Sequence, residues 1–599
     1  MKDTLSLFEK RSASYQQRVD ETKALSKRLS LVRIVSFLAV IFLIIQFANN
    51  AQAKLVGIIT ALFIILFIFL LRWHNKVRSQ LKYQSALRDI NEEEINRLSL
   101  NLSSLPSGQE FYQAQHPYHE DLDIFGKHSL FQLIDRSSTE EGQTRLAQWL
   151  SESADEKTIS KRQKAIQELS EKLDFRQSFH AIGRVNEEKQ GDKEIFISWL
   201  NSSSRLKRKE ILQVALAILP LLTIGTILGA YLDVLEMGWP LLVVVINMLI
   251  LAMAFTPLDE ISKQTENGYK SLGALKELIL LVEQEDLNDD SLKELKERIH
   301  QKSKTAANTL SQLKFLLDTI HNRANLMYVV FDTLFILDVY WLLRIHRWKE
   351  ANKLELQQWF DVMAEFDALN SLAGYAFANP QYSFPKLSDT PFTIEAKALG
   401  HPLIKPNQRV NNDFSFHGRG GICLITGSNM SGKSTFLRTL GVNMVLAQAG
   451  APVCAQSMTF GLAQVFTSMR TTDELEENVS SFYAELKRLK KLLDQIDDNR
   501  PTLFMIDEVL KGTNSEDRHK GAIALIKQLN STNAFGLVST HDLVLGSLAN
   551  ELAGVKNYSF NSVIKGDEII FDYTLTEGIC KSFNATKLMQ NMGIDIPEE

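Results

Sequence analysis

The sequence predicts an α/β domain with a mostly parallel sheet, preceded by an all-α region that carries two apolar helical hairpins. Three observations predict it. From residue 421 onward, apolar strand-like runs alternate with helix-like segments, as a parallel α/β sheet requires. Residues 258–376 contain no proline and few glycines, which suits long helices. Four apolar runs near bilayer length fall into two pairs, each joined by a short polar turn.

Bulk properties set the limits. At 599 residues the chain is too long for one core, so several domains are expected. The formal net charge of −5 excludes a polybasic nucleic-acid binder of the whole-molecule kind. The three cysteines, Cys423, Cys454 and Cys580, form no CxxC and no paired framework. A reducing compartment is expected, and a zinc site is not.

Along the chain, residues 1–30 read as a charged amphipathic helix on the cytoplasmic side. Residues 31–71 hold the first apolar pair, 31–48 and 55–71, separated by NNAQAK. Residues 72–122 read as a helical linker, turning to loop at Pro106, Gly108 and Pro117. Residues 123–210 show apolar positions at a spacing of three to four, the first part of a helical core. Residues 211–255 hold the second apolar pair, 211–230 and 240–255, separated by YLDVLEMGW. None of the four runs carries an internal Asp, Glu or Lys. Residues 256–376 continue the helical core, and 377–599 form the α/β domain.

Flanking charge orients the runs. Lys23, Lys27 and Arg28 precede the first; Arg72, Lys76, Arg78 and Lys82 follow the second. RLKRK, residues 205–209, precedes the third, while the two turns hold only Lys54 with Asp233 and Glu236. The positive-inside rule then predicts an inner (plasma) membrane protein with four spans and a lipid bilayer as partner. Both termini and the α/β domain fall on the cytoplasmic side. A fifth apolar stretch, 326–345, contains Asp332 and Asp338, each costly in lipid. A fifth span would also put the α/β domain outside the cell. This stretch is expected to be one long buried helix of the soluble part.

Chemistry concentrates in the last domain. Residues 421–435 read GICLITGSNMSGKST, an apolar strand, a Gly-rich loop and the start of a helix. This is the P-loop pattern GxxxxGK[ST] in its strand–loop–helix context. Gly427, Ser428, Asn429, Met430, Ser431 and Gly432 would wrap backbone N–H groups around phosphate oxygens. Lys433 would reach the β- and γ-phosphates, Thr435 would continue the loop, and the Ser434 hydroxyl would ligate Mg²⁺. ATP and Mg²⁺ are therefore the expected cofactors. Downstream, the apolar run 503–506 ends in Asp507-Glu508, a Walker B pattern: Asp507 for the Mg²⁺ shell, Glu508 as general base. A third strand, AFGLVST, ends at Thr540-His541, which places His541 at the crevice beyond the strand ends. Ser480 and Ser481 precede a helix containing Glu485 and suit either N-capping or a γ-phosphate.

These residues match a family. GSNMSGKST resembles the GPNMGGKST loop of MutS-type ATPases, the ABC-related DNA mismatch repair family, and Asn429-Met430 is its most discriminating pair. VFTSMRTTDELEENVSSF, IDEVLKGTNSED and VSTHDLVL resemble that family's later segments. GHPLI, FDALNSLAGYA and LFQLIDRSSTEEGQTRLAQWL resemble parts of its helical core and levers. The likeness covers roughly 120–200 and 257–590. It implies a homodimer through the ATPase domain, with Ser480 acting in trans on the partner's nucleotide.

The departures are specific. Ser428 and Ser431 stand where the family loop has proline and glycine, and Leu510 and Lys511 where it has glycine and arginine. The mismatch-reading and connector domains have no room; the first apolar pair stands in their place, and the second replaces the DNA clamp. DNA thus enters as a partner that no recognition domain supports. The resemblance implies a membrane-anchored ATPase related to mismatch repair proteins. The competing reading is an ABC-like ATPase that couples hydrolysis to a membrane process or transport without DNA.

Overall fold

The computed structural model describes all residues except 1, 49–52, 187–191, 203–205, 207, 267, 300–304, 324, 471–480, 512, 566–567 and 581–599. The chain divides into two compact units. One comprises Met1–Ser137, Gln143–Arg176 and Ala368–Glu599; the other comprises Ser138–Gly142 and Gln177–Asp367.

In the first unit, helices Lys2–Ala48 and Ala53–Leu98 run antiparallel. Thr22 donates to Gln84 at 2.7 Å, Arg33 meets His74 at 2.8 Å, and Phe37 packs on Phe63 and Phe67. The amphipathic segment and the first apolar run are therefore one helix. No proline or glycine interrupts 2–48, and only Gly57 lies within 53–98. The second helix ends in a buried ionic cluster. Arg136 donates to Glu94 at 2.7 and 2.9 Å, and Arg97 donates to the Asp135 carbonyl at 2.6 Å.

Among the described residues, the same unit contains ten strands: β1 (Lys386–Leu387), β2 (Thr393–Leu399), β3 (Asn412–His417), β4 (Ile422–Thr426), β5 (Ser457–Phe460), β6 (Gln464–Ser468), β7 (Thr502–Asp507), β8 (Ala534–Thr540), β9 (Val555–Lys565) and β10 (Glu568–Glu577). A four-stranded sheet has the order β1-β5-β2-β3, and a six-stranded sheet the order β10-β9-β4-β8-β7-β6. In the larger sheet β9, β4, β8, β7 and β6 are parallel, and β10 alone runs antiparallel. Every residue of β4 and β8 is buried, as continuous apolar runs in a covered parallel sheet must be. Ile422, Leu424, Phe504, Ile506 and Val538 pack against Leu525, Ile526 and Leu529 of helix Ser515–Asn530. This core fixes the strand ends from which the candidate site is built.

The second unit is helical. Its helices Lys209–Tyr231 and Gly238–Thr265 lie side by side, with Asn247 donating to Thr223 at 3.1 Å. Among the described residues, four helices are long and apolar enough to cross a membrane: these two, and those spanning Asp3–Gln46 and Val56–Leu98. Only 6% of the apolar window is buried in each of the first pair, and 22% in each of the second. These are not core helices of the chain's own interior.

The expectation of one long buried helix over 326–345 is corrected. Two helices, Leu326–Phe335 and Leu337–Ala378, meet at an 85° bend. No residue of the first is buried, whereas Leu342, Leu343 and Ile345 of the second are. The break sits at Ile336, in the left-handed region at φ 48°. Asp332 accepts from the Asp338 backbone N–H at 2.7 Å, so its side chain caps the next helix rather than entering lipid as a bare charge.

Candidate functional site

β4 delivers the chain into the loop that begins at Gly427, and helix Lys433–Ala449 leaves it. Gly432 sits at φ 107°, where a Cβ would stand 3.1 Å from Tyr573. Only glycine meets both conditions without strain. No side chain caps the helix, so its first N–H groups stay directed into the loop. Lys433 is buried and curls back over the loop, donating to the Gly427 and Ser428 carbonyls at 2.9 Å each. Burial lowers its pKa from the usual lysine value. Ser431 is also buried, and its hydroxyl has no partner among the described residues. Met430 projects outward at φ 65°, 79% exposed. Ser434 is half-buried and Thr435 exposed on the first helical turn.

β7 and β8 bring the other groups to the same strand ends. Asp507 accepts from the Ser539 hydroxyl of β8. Glu508 turns out of the strand at φ 59°, its N–H donating to the Ser539 carbonyl at 3.1 Å. His541 bridges the loop and this turn: Nδ1 meets the Gly427 carbonyl at 3.0 Å, and Nε2 pairs with Glu508. The hydrogen bond from His541 pulls the Glu508 carboxyl down to about 2, against the opposing effect of burial. The charges of His541, Lys511 and Lys433 add to it.

Glu485, on helix Ser481–Gln495, accepts from the Lys511 backbone N–H at 3.0 Å and also from that of Leu510. It thereby fixes the turn behind Glu508. Lys511 approaches Glu508 at 3.6 Å. These groups, with Arg470 and Arg488, line a cleft of about 230 Å³ that opens onto Asp507 and Glu508. Ser480 lies outside the described residues.

The structure thus brings together Lys433, Asp507, Glu508 and His541 at the carboxyl ends of three adjacent parallel strands. Sequence reasoning missed Asp121 and Asp123, read only as part of a linker and its margin. Asp121 is buried and accepts from Thr467 at 2.7 Å and from the Arg470 N–H at 2.8 Å. Asp123 pairs with Arg438, on the helix after the loop, and with Arg470, both at 2.9 Å. The one signal was an unusual acid density in HPYHEDLDIF.

The residues fit a nucleoside triphosphate with its divalent ion. The loop offers uncapped N–H groups, a buried lysine and an unpaired buried hydroxyl. Asp507 and Ser434 would provide the small oxygen set Mg²⁺ uses alongside substrate phosphates.

Residues 108–373 match the family model MutS domain III, and residues 423–596 match MutS domain V. The chain is 32% identical over 235 residues to MutS protein homolog 4 of Mus musculus and, equally, of Homo sapiens. Each of those matches covers 37% of this chain and 24% of the relative. It is 31% identical over 272 residues to the DNA mismatch repair protein MutS of Lachnoclostridium phytofermentans, covering 44% of this chain and 28% of the relative. The chain therefore spans about a quarter of the length of these relatives.

Proposed function

The chain belongs to the MutS family, and on that premise we propose that it is a membrane-anchored ATPase that binds and hydrolyses ATP as a dimer. The observation that carries this reading is the convergence of Lys433, Asp507 and the Glu508–His541 pair on one crevice. Loop N–H groups and Lys433 bind and orient the β- and γ-phosphates. Ser434 and Asp507 would hold Mg²⁺, which neutralises charge on those phosphates when bound. Glu508, kept ionised, takes the proton of the attacking water. His541 holds Glu508 and the Gly427 carbonyl at once, so its release is the step that frees the base. The exposed apolar helices support an inner-membrane location with the ATPase domain cytoplasmic.

Glu508→Gln is the direct test. It removes the base but leaves the loop, so ATP binding should persist while turnover falls about 10²–10⁴-fold. Unchanged turnover would remove Glu508 from the mechanism. DNA is retained as a second partner because one relative carries mismatch repair in its name. Binding of duplex and mismatched DNA by the detergent-solubilised protein, titrated with salt, decides it; no binding at low salt leaves the membrane-coupled ATPase reading alone.

A further inference from the structure

We propose that residues 325–349 form a re-entrant segment that dips into the membrane from the cytoplasmic side and returns without crossing. The inference rests on the reading of Lys209–Tyr231 and Gly238–Thr265 as membrane spans, and it adds a third inserted element to them.

Contacts within this unit give the depth of each point. His321 meets Thr265 at 3.3 Å, at the end of the second span. Arg323 lies 5.9 Å over the Phe255 ring. Helix Leu326–Phe335 then runs inward, because its last carbonyls are bound farther along. Asn247 donates to the Thr333 carbonyl at 3.0 Å and to the Leu334 carbonyl at 3.2 Å. From Phe255 to Asn247 the span rises about 12 Å, which places the break near mid-depth. After the 85° bend the chain comes back. Lys349 donates to Ser202 at 2.9 Å, and Glu350 meets Lys209 at 3.4 Å. Lys209 begins the first span and Thr265 ends the second, so entry and exit lie on one side.

The surface and the break both suit lipid. Leu326, Met327, Val329, Val330 and Phe331 point outward, at 46–78% exposure. They continue the apolar faces of the two spans, and acyl chains are the occupant that covers all three. Broken backbone survives at that depth only where protein satisfies it. Here Asn247, fully buried, takes two of the helix's terminal carbonyls. Asp332 takes the Asp338 N–H, and Tyr328 and Arg323 donate to the Asp338 carboxylate at 2.6 and 3.4 Å. Ile336, at the bend, is itself buried. Re-entry also removes the topological conflict raised by a fifth apolar stretch, since the α/β domain stays on the cytoplasmic side.

The test uses variants of the full chain in proteoliposomes, each with one cysteine added to the buried Cys423, Cys454 and Cys580, and the unsubstituted protein gives the background labelling. Spin labels at Val245→Cys and Val330→Cys report collision with oxygen against a water-soluble nickel chelate. An impermeant thiol reagent reports the side of Val234→Cys, Leu354→Cys and Lys490→Cys. The expected result is lipid exposure at both 245 and 330, with 354 on the side of 490 and opposite 234. Lipid at 245 with water at 330 overturns the re-entrant segment and leaves the anchor standing. Lipid at 330 with 354 on the side of 234 overturns re-entry in favour of a crossing. Water at 245 overturns the anchor, and the inference falls with it.

Discussion

Glu508 is poised by His541, and that pairing has a pH signature. Its folded-state pKa is depressed to about 2, below the ordinary value of 4.5. A depressed carboxylate contributes stability that is present above its unfolded pKa and lost as pH falls through the folded one. The wild type should therefore lose its stability advantage over Glu508→Gln between about pH 4.5 and pH 2, read as thermal midpoints across a pH series. A difference that stays flat over that window would mean His541 does not hold the carboxylate. Leu510 poses a sharper balance. At φ 60° a leucine carries roughly 1–2 kcal/mol of left-handed strain that a glycine would not. Yet Leu510 is buried against Gly521, and deleting such a side chain costs about 2–5 kcal/mol. Burial wins, so Leu510→Gly should destabilise the α/β domain in chemical denaturation; a gain in stability would show that strain dominates. The loop 427–435, Asp507-Glu508 and His541 were all legible in the sequence, because each follows directly from a strand run. Asp121 and Asp123 were not, because their partners Thr467, Arg470 and Arg438 lie more than three hundred residues away. Nothing in local spacing encodes such a contact.

Helix Ala53–Leu98 finishes inside a buried cluster, where Glu94 receives two hydrogen bonds from Arg136. The Arg136 N–H in turn donates to Ser371 at 3.1 Å, on the helix that leads to the strands. Removing one member strands the other charges in the interior, which costs about 3–5 kcal/mol. Glu94→Ala should lower the unfolding free energy in chemical denaturation by that much, and Glu94→Leu with Arg136→Met should recover most of the loss. Equal damage from the single and double variants would assign the effect to packing alone. Apolar length and spacing made the two long helices of the first unit legible as segments, but the sequence reading divided 1–30 from 31–48, which the structure joins in one helix. The break at Ile336 was not legible. No proline or glycine marks it, and it is held by Asn247 and Asp332, which read in sequence only as polar interruptions.

For the molecule as a whole, the decisive question is whether one chain suffices. The cleft beside Glu508 is lined by Arg470, Arg488 and Lys511 together with the acids Glu120, Asp121 and Glu485. Under the dimer reading, the segment containing Ser480 completes the partner's site instead of its own. Two defective chains then become informative. Lys433→Ala removes the lysine that would bind phosphate but leaves Ser480; Ser480→Ala removes the serine but leaves Lys433. Each alone should be inactive. Mixed in equal amounts and allowed to exchange in detergent, half the dimers are mixed, and each holds one site with both residues intact. ATP turnover should return to about a quarter of wild type, half the dimers carrying half the sites. Activity that stays absent after exchange, with pairing verified by crosslinking, would place Ser480 and Lys433 in the same site. The chain would then carry both residues of one site in a single copy.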